Sequence, residues 1–314
     1  MPKLKEWETH SGVVLDSVKG FDVIDCESCA FKHIIPIPSE AELASVYRND
    51  YYAMEKPLYL ERHRQDLEWW TLAYSERYDT FEQHLPRDRR RILDVGSGPG
   101  FFLLQGKQRG WETLGFEPSI QAAAHSRNLG LQIIDNFLNK ENVAGLGAFD
   151  VVHMSEVLEH IADPELMLRL AHSLLTVRGL LCVVVPNDYN PFQTALRKEC
   201  GYAPWWVAPP HHINYFDPVS LERLFTRSGF EVVERSGTFP IDLFLLLGHD
   251  YIDNDDVGRR CHSQRMVMEK TLAAAGLSDL KKRWYRGMAS IGLGREVIVY
   301  GRAIPLELRA DPTR

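Results

Sequence analysis

The chain has 314 residues, 45% of them hydrophobic and 25% charged, ordinary globular fractions over about two domain-lengths of roughly 150 residues each. Thirty-six Lys and Arg against forty-three Asp and Glu leave a formal charge of −7, which argues against nucleic acid or an anionic membrane as the partner. The opening MPKLKEWETH lacks an apolar signal segment, apolar runs such as 180–185 and 243–248 are too short to cross a bilayer, and five cysteines fit a reducing cytoplasm.

Residues 1–85 read as an N-terminal module: a short Cys-containing segment, then aromatic-rich helical sequence. Cys26-x-x-Cys29 resembles half of a zinc ribbon, but the second C-x-x-C is missing. His10 and His33 could complete a Cys2His2 set, though at no recognised finger spacing, and a metal-free state is expected. Tyr51, Tyr52, Trp69, Trp70 and Tyr74 suit either a helical lid over a bound cation or core packing.

From Arg90 short apolar runs alternate with amphipathic stretches, the pattern of a parallel α/β sheet. The expected strands are 91–96, 112–117, 131–135, 149–154, 180–186, 230–235 and 295–302. Ser119 is placed to cap the helix that follows it, and Gly130 to end it. Asp163-Pro164 and Asp217-Pro218 each put a capping carboxylate before a proline at the first helical position. The fold expected is α/β and Rossmann-like: a seven-stranded, mostly parallel sheet with helices on both faces over residues 86–314. Two insertions, 187–216 and 239–294, interrupt it. The first leaves a strand's carboxyl end, where functional loops of such sheets lie, and both are expected on the acceptor side of a site.

Ile92-Leu93-Asp94-Val95-Gly96-Ser97-Gly98-Pro99-Gly100 is a strand running into a glycine turn and then a helix. Glycines allow close backbone approach to a ligand, and a helix N-terminus favours an anion. Glu117 ends the next strand, where a carboxylate can accept both hydroxyls of a ribose. The spacing G-x-G-x-G differs from the G-x-G-x-x-G of dinucleotide sites.

At this point the chain resembles the class I S-adenosylmethionine-dependent methyltransferases, whose first motif is D-x-G-x-G-x-G. The resemblance implies that Asp94, Gly96, Ser97, Gly98 and Gly100 hold the methionine part of S-adenosylmethionine, Glu117 the ribose, and Asp135 and Asn136 the adenine, with Met154 also in the cofactor set. Phe149-Asp150-Val151-Val152, then Ser155-Glu156-Val157-Leu158-Glu159-His160 and Asp163-Pro164, look like the branch containing the ubiquinone-biosynthesis O-methyltransferases. His211-His212-Ile213-Asn214-Tyr215-Phe216 is similar to sugar and natural-product methyltransferases of that branch.

Deprotonating a hydroxyl acceptor suits a histidine, whose reference pKa of about 6.5 lies near working pH. His211 or His212 is therefore the expected base, with Asp188 orienting the acceptor and Tyr189, Asn214 and Tyr215 binding it. Glu156, Glu159 and His160 match the E-x-x-E-H group that ubiquinone O-methyltransferases associate with a divalent cation. Here they are read as ending the strand and starting the turn before Asp163, with no metal expected. The function expected is methyl transfer to a small-molecule, sugar or glycan acceptor in the cytoplasm, at oxygen first, with nitrogen and carbon open and homo-oligomerisation open too. The rivals weigh less. Asn190-Pro191-Phe192 lacks the second proline of amino-methylating nucleic-acid enzymes, and a non-catalytic scaffold does not account for an intact glycine turn.

Overall fold

The computed structural model describes residues 10–39, 42–43 and 59–305; Tyr51 and Tyr52 lie outside them. Three strands open the described chain: β1 (Gly12–Val18), β2 (Phe21–Cys26) and β3 (Lys32–Ile35). Two helices follow, α1 (Tyr59–Gln65) and α2 (Leu67–His84). The α/β part then alternates β4 (Arg91–Val95), α3 (Phe101–Gln108), β5 (Glu112–Phe116), α4 (Ile120–Asn128), β6 (Gln132–Ile134), β7 (Phe149–Ser155), α5 (Pro164–Ser173) and β8 (Leu175–Pro186). Beyond it come α6 (Pro191–Cys200), β9 (Asn214–Tyr215), α7 (Pro218–Arg227), β10 (Phe230–Gly237), α8 (Asp242–Leu246), α9 (Asp255–Ala274), α10 (Ser278–Ser290) and β11 (Glu296–Ala303).

Seven strands form one sheet in the order β10-β11-β8-β7-β4-β5-β6. The run from β8 to β6 is parallel, and β11 is antiparallel to both its neighbours. The chain reverses direction across the sheet between β4 and β7, so the crevice beyond their carboxyl ends is the topological switch point. Strand alternation sends successive side chains to opposite faces. Leu93, Val95, Val152 and Met154 enter a core with Leu168 of α5 and Leu224 of α7. Ile92, Val151 and Cys182 enter the other core, with Tyr78 and Phe81 of α2 and Phe102 of α3.

The capping signals act as written. Ser119 accepts from Ala122 N, Asp163 from Leu166 N, and Asp217 forms a capping box. Asn190 forms another, so Asn190-Pro191-Phe192 is the start of α6.

The N-terminal strands and β9 make a second, antiparallel sheet, β1-β2-β3-β9. Its core joins Val23 and Ile34 to Trp206, Ile213 and Tyr215, so part of the 187–216 insertion completes the N-terminal module. The 239–294 segment is helical as expected, but α9 and α10 clamp α2. Glu269 takes hydrogen bonds from Trp69 Nε1 at 2.7 Å and Tyr285 Oη at 2.6 Å, and Lys281 pairs with Glu76 at 2.9 Å. α2 is thus fastened to the helices that precede β11.

Candidate functional site

A cavity of about 880 Å³ opens at the switch point. β4 leads into it through the glycine turn, whose Gly96 and Ser97 amides donate to Phe116 O at 2.8 and 3.0 Å. Gly96 has φ +72°, and a Cβ there would stand 2.4 Å from Val157 Cγ2. Only glycine keeps both the turn and the space beside it. Gly100 (φ +84°) does not line the cavity; its Cβ would strike Leu131 and Ser126. Its role is to start α3 close against its neighbours, which corrects its assignment to cofactor contact.

Glu117 lines the cavity and is 4% exposed. Its carboxylate accepts from Gly98 N at 2.7 Å and Ser119 N at 2.8 Å. Burial pushes its pKa up to about 7; those two amides oppose the rise, and Asp94 and Asp135 add to it. Asn136 lines the cavity with Phe137 and Leu138. Asp135 does not; it faces Arg127 at 3.7 Å.

Met154 is fully buried in the core on the far face of the sheet. The strand's period of two puts His153 and Ser155 into the cavity in its place. His153 Nδ1 lies 2.7 Å from Asp94 Oδ1, its Nε2 lies 3.4 Å from Arg77 Nη1, and its ring stacks on Phe102 at 4.0 Å. Burial of Arg77 works against its charge, but Glu296 and other neighbours hold its pKa above the ordinary value. Arg77 and Glu296 both line the cavity.

α1 and α2 supply an aromatic wall. His63 is stacked between Trp70 at 4.8 Å and Phe101 at 4.5 Å, and its Nε2 meets Tyr74 Oη at 3.0 Å. Burial brings its pKa down to about 4. Trp70 and Tyr74 line the cavity, as the lid reading requires, and Trp69 does not.

The opposite wall is the turn after β7. Glu156, at φ +57°, and His160 line the cavity. The turn is fastened from behind: Asn214 Nδ2 donates to Leu158 O and Ile161 O at 3.0 and 2.7 Å, and Ile213 N donates to Glu159 O at 2.7 Å. His160 Nδ1 meets His211 O at 2.7 Å, and the His212 ring packs edge-on to His160 at 4.8 Å.

Those contacts revise the expected acceptor set, since His211, His212, Asp188, Tyr189, Asn214 and Tyr215 are all absent from the cavity wall. Asp188 lies 3.7 Å from Arg295, its pKa raised to about 6 by burial against that pairing. Tyr189 donates to Asp16 at 2.9 Å and Tyr215 to His212 O at 3.1 Å. The aromatic, proline-rich insertion supports the site from outside because its rings are needed for the second sheet's core. No residue of 187–216 or of 239–294 lines the cavity.

Glu159, His160 and His212 bring ligand atoms within 4.8 Å of one another. Glu156, the first residue of the E-x-x-E-H group, is not in that cluster. One carboxylate and two imidazoles are not the oxygen-rich shell that magnesium takes, so the group fits magnesium poorly.

Arg77, His63, His153, Ser155 and Glu296 escaped sequence reasoning. For His153 and Ser155 the signal was present, because both share a strand face with Val151.

Residues 61–235, more than half of the chain, match the family model described as a methyltransferase domain. The chain belongs to this family, the class I S-adenosylmethionine-dependent methyltransferases, and resembles the ubiquinone-biosynthesis O-methyltransferases within it. The ubiquinone biosynthesis O-methyltransferase of Rhizobium etli is 27% identical over 161 residues, covering 49% of this chain and 65% of the relative. That of Ruegeria pomeroyi is 31% identical over 154 residues, covering 47% and 62%. The chain thus spans a little under two thirds of the length of these curated relatives. In fold it is similar to a chain in the solved complex between the Haloferax volcanii Trm112 methyltransferase activator and a proposed methyltransferase. There the TM-score is 0.50 at 14% identity, with 84% of this chain and 98% of that chain covered. S-adenosylmethionine is the cofactor of the family, and the residues fit it: Gly96, Ser97 and Gly98 line the cavity with no side chain larger than a hydroxymethyl, and the buried Glu117 carboxylate lies beside them.

Proposed function

We propose that the chain methylates a hydroxyl group of a small, largely apolar acceptor, with His160 as the general base. The observation that carries this reading is one continuous cavity that joins the glycine turn and Glu117 to Arg77, Glu156 and His160. At about 880 Å³ it lies near the top of the roughly 300–1,000 Å³ range of ligand pockets, room enough for a cofactor and an acceptor together. Its wall is mainly aromatic and aliphatic, with Trp70, Tyr74, Phe137, Ile161, Leu166 and Met167 among the lining residues. That favours a phenol-like compound over a sugar or glycan, and the O-methyltransferase relatives point the same way.

Bound S-adenosylmethionine supplies an electrophilic methyl group on a sulfonium. In the proposed reaction Gly96, Ser97, Gly98 and Asn136 hold the cofactor by backbone and edge contacts, and Glu117 accepts from its ribose. Such positioning can supply up to roughly 7–11 kcal/mol of the barrier. His160 Nδ1 donates to His211 O and its Nε2 lies 3.7 Å from Glu159 Oε1; in this reading Nε2 takes the acceptor proton and the Glu159 carboxylate steadies the imidazolium. The other cavity histidines suit the task less. Burial holds His63 neutral, and His153 would have to become an imidazolium beside Arg77. His212 and Glu159 act through His160.

The test is release of S-adenosylhomocysteine from S-adenosylmethionine over a panel of phenols, sugar nucleotides and amines. Turnover with phenols alone supports the reading. Turnover with sugar nucleotides or amines alone contradicts it.

A further inference from the structure

We propose that His10, Cys26, Cys29 and His33 form a structural zinc site that fastens the N-terminal sheet to the methyltransferase domain. The four residues come from separate points of the sheet. The β1–β2 register, which pairs Gly12 with Cys26, brings His10 alongside the Cys26-x-x-Cys29 turn, and β3 returns His33 beside it. Each residue offers one ligand atom, and all four atoms lie within 4.8 Å of one another. His10 Nδ1 stands 3.4 Å from Cys29 Sγ and 3.1 Å from His33 Nε2. A tetrahedral zinc with bonds of about 2.0–2.3 Å places its ligand atoms about 3.3–3.8 Å apart, so these spacings suit a common ion.

The surroundings add two independent observations. His33 is 1% exposed, and its Nδ1 meets Ile34 O at 2.9 Å. With the proton on Nδ1, the Nε2 lone pair points into the cluster, the usual outer-shell arrangement of a metal-bound histidine. Cys29 N donates to Cys26 Sγ at 3.4 Å, and Ala30 follows with φ +56°. The turn holds both sulfurs on the side of the two imidazoles. Two thiolates and two imidazoles match zinc, and with four protein ligands the site is closed and structural rather than catalytic. Binding releases the two thiol protons to solvent and forms two Zn–S and two Zn–N bonds.

Its place in the fold gives the site a consequence. Cys29 O accepts from Arg227 Nη1 of α7 at 2.6 Å, and His33 pairs with Asn214 across β3 and β9. Asn214 in turn holds the carbonyls of Leu158 and Ile161 on either side of Glu159 and His160. The metal therefore anchors the strand from which that turn hangs.

The experiment is metal analysis of the full-length chain after incubation with zinc and desalting, in wild type, Cys26→Ser with Cys29→Ser, His10→Gln and Cys200→Ser. About one zinc per chain in wild type and in the exposed-thiol control Cys200→Ser is expected. His10→Gln should hold it at least tenfold more weakly, and the double variant should hold none. Cobalt in its place should give intense tetrahedral d–d bands and a thiolate charge-transfer band. Wild-type protein separates metal loss from misfolding: chelation should expose Cys26 and Cys29 to alkylation while Cys182 stays protected. Fewer than about one zinc in ten chains would overturn the proposal. So would a Cys26–Cys29 disulfide, seen as a two-hydrogen mass loss that a reductant reverses.

Discussion

Asp94 and His153 face each other across β4 and β7, and the Nδ1 to Oδ1 distance is 2.7 Å with both side chains buried. Burial keeps the His153 pKa below its ordinary value, with the Asp94 charge opposing that fall. The ring is therefore neutral, donates Nδ1–H to Asp94 and offers Nε2 to Arg77. The motif aspartate before the glycine turn has a role the motif does not reveal: it fixes a histidine tautomer in the floor of the cavity.

His153→Phe keeps a ring over Phe102 but leaves Asp94 and Arg77 without this partner. A buried polar group left unsatisfied costs about 1–3 kcal/mol, and urea unfolding should show a loss of that size. Asp94→Asn, which can still accept from Nδ1–H, should lose less. For both His153 and His63 the native pKa lies below the unfolded value, so the unfolded chain binds the extra proton. Their contribution to stability is present above about pH 6.5 and declines as pH falls below it, for His63 toward about 4. A urea midpoint for His153→Phe equal to that of wild type would count against this arrangement.

Glu117 has the opposite sign. Its native pKa of about 7 lies above the ordinary carboxylate value, so the folded, cofactor-free protein binds the extra proton. This group's contribution to stability is therefore greatest in acid and is lost as pH rises through about 7. Cofactor binding should run the other way, because only the ionised carboxylate accepts from both ribose hydroxyls. Calorimetry should find S-adenosylmethionine binding tightening between about pH 6 and 8. Glu117→Ala should bind at least tenfold more weakly at pH 8, since hydrogen bonds to a charged group are worth about 1.5–3 kcal/mol, and the pH dependence should vanish. Persistence of that dependence in the variant would assign it elsewhere.

The helical segment 239–294 should matter for stability and not for the cofactor. Burial disfavours the Glu269 charge, but Arg265 and Lys281 hold its pKa below the ordinary value. Glu269→Ala leaves Trp69 Nε1, Tyr285 Oη and Arg265 without their shared acceptor while Lys281 keeps Glu76, and breaking such a network costs about 3–5 kcal/mol. Thermal unfolding should register that loss while the affinity for S-adenosylmethionine stays within a factor of about two. A large fall in affinity with little loss of stability would restore this segment to the site.

The glycine turn, Glu117 and the seven strands of the main sheet were legible because each depends on residues adjacent in sequence: an apolar run, a glycine spacing, a strand tip. Met154 was taken in place of its neighbour His153, although Val151, His153 and Ser155 share one face of β7 and Met154 the other. The second sheet was illegible for another reason. β1 carries exposed Val13 and Val14 and has a register shift between Val14 and Asp16, while β9 is only two residues long; both depend on tertiary partners. The same dependence concealed His160. Its turn reads as a motif, but the backing by Asn214, His211 and His212 spans more than fifty residues of chain.

The most direct measurement compares turnover and cofactor affinity in His160→Ala, using an acceptor that emerges from the panel. General-base assistance is typically worth 10²–10⁴-fold. Turnover should fall by that order, and S-adenosylmethionine should bind as in wild type. His211→Ala, which keeps the backbone carbonyl that orients His160, should retain most activity. Turnover in His160→Ala above about a tenth of wild type, against that same range, would contradict the account.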